Sequence, residues 1–141
     1  MGYPFPSVEW LQALVEVLNT DTRYAEVAKN WEGDMLVIIE PDDVDDDHDL
    51  PKTFYLDLWH GKCREGRLVD ENSEEVPEAA FILSSPLSNI VRIFQGELDP
   101  MQAMITRRLK VQGSMAYMLR NVPTVLDFVR CCRLVEIDSL V

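Results

Sequence analysis

Nucleophilic catalysis requires a nucleophile beside a general base, and the sequence offers few such pairs. The candidate nucleophiles are the neighbouring residues Ser84-Ser85 and Cys131-Cys132. The chain's two histidines, His48 and His60, both fall in predicted loops or turns, and no Gly-x-Ser-x-Gly motif is present. Ser84 is also suited to cap the helix that follows it. The sequence therefore predicts no catalytic residue and a protein that is not an enzyme.

Metal binding is suggested most strongly by the run 41–49, which contains six aspartates. Taking Asp43 as the first position of a calcium loop puts His48 where the loop requires glycine, and the next register fails in the same way. His60 and Cys63 supply two of the four ligands that a structural zinc site needs. We therefore interpret the aspartate run as a solvated acidic loop and predict neither a metal site nor a cofactor.

The charge balance excludes several classes of partner. The chain carries 13 basic and 25 acidic residues, a formal net charge of −12. Nucleic acids and anionic membranes attract proteins through Lys and Arg, so neither is an expected partner. No apolar run approaches the roughly 20 residues of a membrane helix, so no stable membrane insertion is expected. Three cysteines make no disulfide framework and the first residues do not resemble a signal peptide, which favours a cytoplasmic protein.

Hydrophobic periodicity predicts an α+β protein. Residues 1–33 are expected to form two helices, and short strands follow near 35–39, 53–59, 68–69 and 79–83. Gly61-Lys62 is suited to a tight turn, although a longer loop pairs the apolar residues of the two strands better. Two helices, a strand at 109–113 and further helices complete the chain. Strands joined by hairpins pair antiparallel, so we expect a sheet with helices packed largely on one face.

Local sequence signals place the helix starts. Ser7 and Ser114 are suited to be N-caps, and Asp99-Pro100 is typical of the first turn of a short helix. Pro123 opens the last helix. In that helix we expect Leu126, Val129 and Cys132 to face inward.

The most informative segments are Phe-Ile-Leu-Ser-Ser at 81–85, Gly-Glu-Leu-Asp-Pro-Met at 96–101 and Leu-Lys-Val-Gln-Gly at 109–113. In order and spacing they resemble the lipid-binding domain of the sterol carrier protein (type two) family, and the resemblance extends over residues 34–120. One departure is Arg107-Arg108, where that family usually places a glycine. We therefore expect one domain over 1–141, with N-terminal helices at 1–33 and a helical tail at 122–141.

The resemblance implies a mainly antiparallel sheet of about five strands, covered by helices that enclose an apolar tunnel for an acyl chain, a sterol-like molecule or another lipid. The expected function is that of a non-catalytic carrier or presenter. Methionines adapt to ligands of variable shape, although the same helical spacing also fits side chains that fill an ordinary core. The expected tunnel residues are Leu56, Phe81, Leu83, Ile90, Phe94, Met101, Met104, Ile105, Val111, Met115, Met118 and Leu119.

Two other functions remain open from the sequence. The same fold with a filled core would serve as an interaction module, with the helical segment 123–135 docking a partner or a second copy in a homodimer. The domain would otherwise be an accessory part of an enzyme. A carrier is expected to copurify with lipid, whereas an interaction module is expected to be empty but oligomeric.

Overall fold

The N-terminal helices begin at side-chain caps. The computed structural model describes residues 2–42, 52–69 and 78–140. A short strand, β1 (Tyr3–Phe5), precedes α1 (Val8–Thr20) and α2 (Thr22–Val27). The Ser7 hydroxyl accepts a hydrogen bond from the Trp10 amide at 3.1 Å, which confirms the predicted cap of α1. The Asp21 carboxylate caps α2 in the same way through the Tyr24 amide, at 2.8 Å.

In the described part of the chain, five strands form the main sheet in the order β4-β3-β2-β5-β6. Three neighbouring pairs are antiparallel, whereas β2 and β5 are parallel, because the chain returns from the sheet edge to place β5 beside the central strand. The α+β class and the five-stranded sheet are therefore confirmed. The strands are β2 (Met35–Glu40), β3 (Lys52–Trp59), β4 (Lys62–Val69), β5 (Phe81–Pro86) and β6 (Lys110–Gln112).

The hairpin between β3 and β4 turns one residue earlier than the sequence predicts. Trp59 pairs with Lys62, so the turn residues are His60 and Gly61, with φ values of 50° and 77°. Both lie in the left-handed region that two-residue hairpin turns require. An irregularity after Asp57 shifts the register and sets Leu58 opposite Cys63, so both apolar side chains are buried.

Within the described range 78–140, four helices follow β5, and two of them have side-chain caps where the sequence predicts a helix start, at Asp99 and at the predicted cap Ser114. Asp99 accepts hydrogen bonds from the amides of Met101 and Gln102, and Ser114 accepts one from Tyr117. The expected capping role of Ser84 is wrong, because Ser84 lies within β5 and the residue before the next helix is Pro86, without a side-chain cap. The helices are α3 (Leu87–Phe94), α4 (Pro100–Ile105), α5 (Met115–Arg120) and α6 (Val122–Leu134).

The end of the chain departs from the predicted helical tail. Helix α6 ends at Leu134, and β7 (Ile137–Leu140) pairs in parallel with β1 in a separate two-stranded sheet. The expectation that Leu126 faces inward is also wrong, since it is 43% exposed. The buried face of α6 instead contains Phe128, Val129 and both of its cysteines.

The helices cover the sheet face that carries the apolar residues of alternating strand positions. Helix α1 packs closely on β4 at Gly66, where an added Cβ would lie 2.5 Å from a Val15 methyl group. Among the described residues, none of the helices has both the length and the apolar character needed to cross a membrane. The candidate functional site lies between this sheet face and helices α3 to α6.

Candidate functional site

An apolar cavity lies between the sheet and the helices. Its volume is about 50 Å³. Strands β2, β3 and β5 contribute one wall, and every helix except α1 contributes at least one side chain. The lining residues are Tyr24, Trp31, Met35, Val37, Leu58, Leu83, Ile90, Ile93, Phe94, Pro100, Met104, Leu109, Met118, Thr124, Val125, Phe128 and Val129.

The lining carries no charged residue among those that the structure describes. Thr124 is satisfied internally, since its hydroxyl donates to the Val27 carbonyl at 3.2 Å. Burial, more than any neighbouring group, raises the pKa of the Tyr24 hydroxyl above its ordinary value of 10, so the phenol is neutral at physiological pH. A cavity with so few polar groups excludes water and favours apolar occupants.

The cavity is much smaller than a lipid. Ligand sites for small molecules usually have volumes of about 300–1,000 Å³, well above the 50 Å³ enclosed here. A bound acyl chain therefore requires the lining side chains to move apart. Met35, Met104 and Met118 all line the space, and methionine changes its rotamers at low cost.

An open groove beside β6 adjoins this cavity. The groove has a volume of about 380 Å³ and is lined by Met104, Arg107, Leu109, Lys110, Val111 and Met115. Met104 and Leu109 line both spaces, so these two buried side chains separate the groove from the cavity. We call this space the β6 groove.

A second groove lies near the end of α6. Its volume is about 290 Å³, and it shares Phe94 with the cavity. Its charged lining residues are Arg133 and Glu136, one of each sign. The cavity thus adjoins two open grooves. The charged residues of the β6 groove are basic, whereas the second groove has one charged residue of each sign.

A model of the SCP-2 sterol transfer family matches residues 13–125. The chain belongs to this family. The resemblance noted in the sequence is therefore confirmed, and the match extends from the middle of α1 to the first turn of α6. No curated protein matches the chain significantly.

Solved structures of SCP-2 proteins have the same fold. A crystal structure of sterol carrier protein 2 is 27% identical, with a TM-score of 0.80 over 92% of this chain and 98% of the other. A conserved protein of Thermus thermophilus, described as a candidate sterol carrier protein, is also 27% identical, with a TM-score of 0.81 over 97% and 93% of the two chains.

A more distant SCP-2 structure has a bound ligand. Sterol carrier protein 2 of Aedes aegypti, solved in complex with the C16 fatty acid palmitate, is 18% identical to this chain. The TM-score is 0.53, over 87% of this chain and 93% of the other. At this identity the likeness concerns the fold.

The structure places the expected tunnel residues of this SCP-2 chain in five settings. Leu83, Ile90, Phe94, Met104 and Met118 line the cavity, and Leu56 and Phe81 are buried elsewhere in the core. Val111 and Met115 line the β6 groove, and Met101 packs half-buried against the core. Ile105 and Leu119 are 78% and 58% exposed, on the short helices α4 and α5 that flank the groove.

The sequence reasoning missed lining residues that lie outside the family segments. Trp31, Met35 and Leu58 come from the N-terminal half, and Phe128 comes from the tail beyond the resemblance. The signal for α6 is present in the spacing of Val125, Phe128 and Val129, at i, i+3 and i+4. Of the residues of α6 predicted to face inward, Leu126, Val129 and Cys132, only Val129 lines the cavity.

Three of the four candidate nucleophiles, Ser85, Cys131 and Cys132, are hydrogen-bonded or buried. The Ser85 hydroxyl donates to the Arg108 carbonyl at 2.6 Å. Burial raises the pKa of the Cys131 thiol to about 11 and holds that of the fully buried Cys132 well above 9. Burial likewise raises the pKa of the Cys63 thiol to about 11, so all three cysteines are protonated and unreactive at neutral pH.

Among the described residues, the carboxylates and the histidine that could bind a metal ion already have other partners. Asp21, Asp127 and Cys131 place ligand atoms within 4.8 Å of one another. Arg130 already occupies this cluster, however, with contacts of 2.6 Å to Asp21 and 2.8 Å to Asp127. The ring of His60 pairs with Glu32 at 2.7 Å on the surface. The predicted acidic loop, including His48, lies largely in 43–51, outside the described residues.

Proposed function

We propose that the protein binds one acyl lipid or sterol-like molecule in an enlarged form of the cavity, and carries or presents it without changing it chemically. The observation that carries this proposal is the uncharged lining between the sheet and helices α3 to α6. Membership of the SCP-2 family supports lipid binding or transfer in general. The palmitate complex of the Aedes aegypti relative supports an acyl chain as one ligand class.

Binding requires the cavity to expand, and its composition suggests how. Met104 and Met118 come from two short helices of six residues each, which have few internal hydrogen bonds to keep them in place. Movement of these helices, with new methionine rotamers, enlarges the space without separating the strands. An apolar tunnel would form in the bound state, through Met104 and Leu109.

A non-catalytic role is supported by the state of the possible nucleophiles. Cys131 and Cys132 are buried and protonated, and the Ser85 hydroxyl is held by a main-chain carbonyl. The three buried free cysteines also support a reducing compartment, so we propose a cytoplasmic location. The net charge of −12 argues against nucleic acid as a ligand.

A second function is favoured by two observations. The small cavity is close to a filled core, and helices α5 and α6 expose Leu119, Leu126 and Leu134. An interaction or homodimerisation module would bury these side chains against a partner. Such a protein would be oligomeric and would have no affinity for lipid.

Extraction and binding measurements test these two functions together. We expect mass spectrometry of an organic extract of the purified protein to find an acyl lipid or sterol-like molecule at near-equimolar amounts. The delipidated protein should bind a fluorescent acyl probe and release it to an unlabelled competitor. Ile105→Trp is the control variant for substitutions inside the cavity such as Met104→Trp. It adds an indole at a 78% exposed site, so probe affinity should not change. An empty protein without probe binding, eluting as a dimer, would support the interaction module instead.

A further inference from the structure

The β6 groove has an unusual concentration of positive charge for this chain. Three of the four residues at 107–110 are basic, although acidic residues outnumber basic ones by 25 to 13 overall. Arg107 and Lys110 are exposed and line the groove, and no carboxylate lines it among the described residues. The other groove is lined by one residue of each sign, Arg133 and Glu136, so the β6 groove is the one suited to an anion.

The two cations of the groove are not engaged elsewhere in the described part of the chain. The ion pairs there are formed by other basic residues, namely Arg23, Lys29, His60, Arg64, Arg67 and Arg130. Arg108, between the two, differs: its side chain donates to the Thr106 hydroxyl at 3.0 Å, and it does not line the groove. Arg107 and Lys110 are therefore available to pair with a ligand.

The backbone at Arg107 is a second, independent observation. Its φ of 60° lies in the left-handed region, which favours glycine. A residue other than glycine at such a position lowers the stability of the fold. Residues in this conformation often mark functional sites, and here the strained residue is one that lines the groove.

We propose that the β6 groove holds the carboxylate of a long-chain fatty acid between Arg107 and Lys110, while the acyl chain passes Met104 and Leu109 into the cavity. The inference rests on the proposed lipid-binding function and names its substrate class and entry side. A fatty acid matches both spaces, because its charged end remains in the cationic groove and its chain enters an uncharged cavity. The half-buried Val111 and Met115 of α5 would contact the first methylenes.

The test compares palmitate with methyl palmitate, which has the same chain but no charge, on the delipidated full chain. Wild type should bind palmitate about tenfold more tightly at moderate ionic strength, as expected for a charge-assisted contact in a partly exposed groove. Added salt should reduce this preference but not the affinity for the ester. Arg107→Gln with Lys110→Gln should abolish the preference and leave the affinity for the ester unchanged.

Two further variants separate a specific contact from general charge and from strain. Arg108→Gln removes the same charge from a neighbour outside the groove, so the preference for palmitate should remain. Arg107→Gly relieves the left-handed backbone, so the melting temperature should hold or rise while the preference falls. Equal loss of the preference in Arg108→Gln, or no loss in the double variant, would overturn the inference. If wild type binds neither ligand, the lipid-binding function itself fails.

Discussion

Two regions beneath the same sheet face are packed in different ways. Around Phe54 of β3, the rings of Phe5, Trp10 and Phe94 form an aromatic cluster, in which the Phe5–Trp10 and Trp10–Phe94 centroids lie 4.8 and 5.5 Å apart. The cavity, by contrast, is lined mainly by aliphatic side chains and three methionines, and its aromatic residues (Tyr24, Trp31, Phe94 and Phe128) are the minority. Aromatic rings have two side-chain torsions and fill space in fixed orientations, whereas methionine has three and repacks readily.

This difference in packing indicates which side of the fold can open to admit a ligand. The Trp10 indole donates to the Val135 carbonyl at 3.1 Å, so the aromatic cluster also joins α1 to the end of α6. Phe94 lines the cavity and belongs to the cluster, so the boundary between the rigid and adaptable regions lies on α3. Ligand entry is therefore expected on the side of α4 and α5, away from the cluster.

The largest expected effect comes from removing the centre of the aromatic cluster. Trp10→Ala should lower the free energy of unfolding by about 3–5 kcal/mol, because it deletes a fully buried indole and leaves a cavity among fixed rings. Met118→Ala should cost about 2 kcal/mol, since flexible neighbours can fill the space. Urea unfolding measures both, and Trp10→Phe serves if the alanine variant does not fold. Equal costs at the two positions would remove the proposed distinction.

The local features of both regions are within reach of the sequence. Ser7, Asp99 and Ser114 can be identified as caps because a cap depends on a few adjacent residues. The segments around Phe81 and Val111 can be placed in strands for the same kind of reason, a short alternating pattern.

Features that depend on contacts between distant residues cannot be predicted from the sequence. The sequence predicts a helix where β7 lies, because the pairing of β7 with β1 joins opposite ends of the chain and four residues carry too little pattern to reveal it. Trp31 and Leu58 are missed as lining residues because their positions depend on how helices sit on the sheet. The sequence shows Arg107 where the family usually has a glycine. Only the structure shows that Arg107 lines a groove together with Lys110 and Met104.

The next largest effect tests how firmly α6 is held against the cavity. Arg130 bridges Asp21 on the α2 cap and Asp127 on α6, and Asp127 is 4% exposed with a second contact to Arg23 at 3.3 Å. Arg130→Ala leaves this buried carboxylate with one largely exposed partner, Arg23. We expect a loss of about 2 kcal/mol in urea unfolding, below the figure for a fully buried pair because Arg130 is partly exposed. Arg92→Ala, at an exposed site on α3, is the control and should change stability little.

The same ion pairs make a directional prediction for pH. The hydrogen bond from Arg130 lowers the pKa of Asp21 below its ordinary value of 3.8. A depressed carboxyl pKa stabilises the fold above the unfolded value, and this stabilisation is lost as the pH falls through the folded value. The stability difference between wild type and Arg130→Ala should therefore be constant near neutrality and shrink below about pH 4. A difference unchanged down to about pH 2 would show that the contact contributes by packing alone.

A smaller effect is expected from adding bulk in each region. Leu14→Trp, at a fully buried site on α1, should cost about 1–3 kcal/mol, as overpacking of a filled core does. Met104→Trp should cost less than about 1 kcal/mol, because Met104 borders both the cavity and the β6 groove and the indole has space on either side. Its affinity for an acyl probe should fall. Clear destabilisation by Met104→Trp, with no probe binding to wild type, would favour the filled-core interaction module.

The last prediction uses the native tryptophans and requires no change in stability. Trp31 lines the cavity, whereas Trp10 lies in the aromatic cluster and Trp59 is on the surface. Bromine atoms quench indole fluorescence at short range, so a fatty acid brominated near the middle of its chain should quench Trp31 more than Trp10 if the chain enters the cavity. Trp59→Phe removes the fluorescence of the surface tryptophan and serves as the background. In that background, Trp31→Phe should abolish most of the quenching. Ile105→Trp should instead add fluorescence that the bound chain leaves unquenched. Quenching that persists without Trp31 would place the chain against Trp10, in the region that the packing identifies as closed.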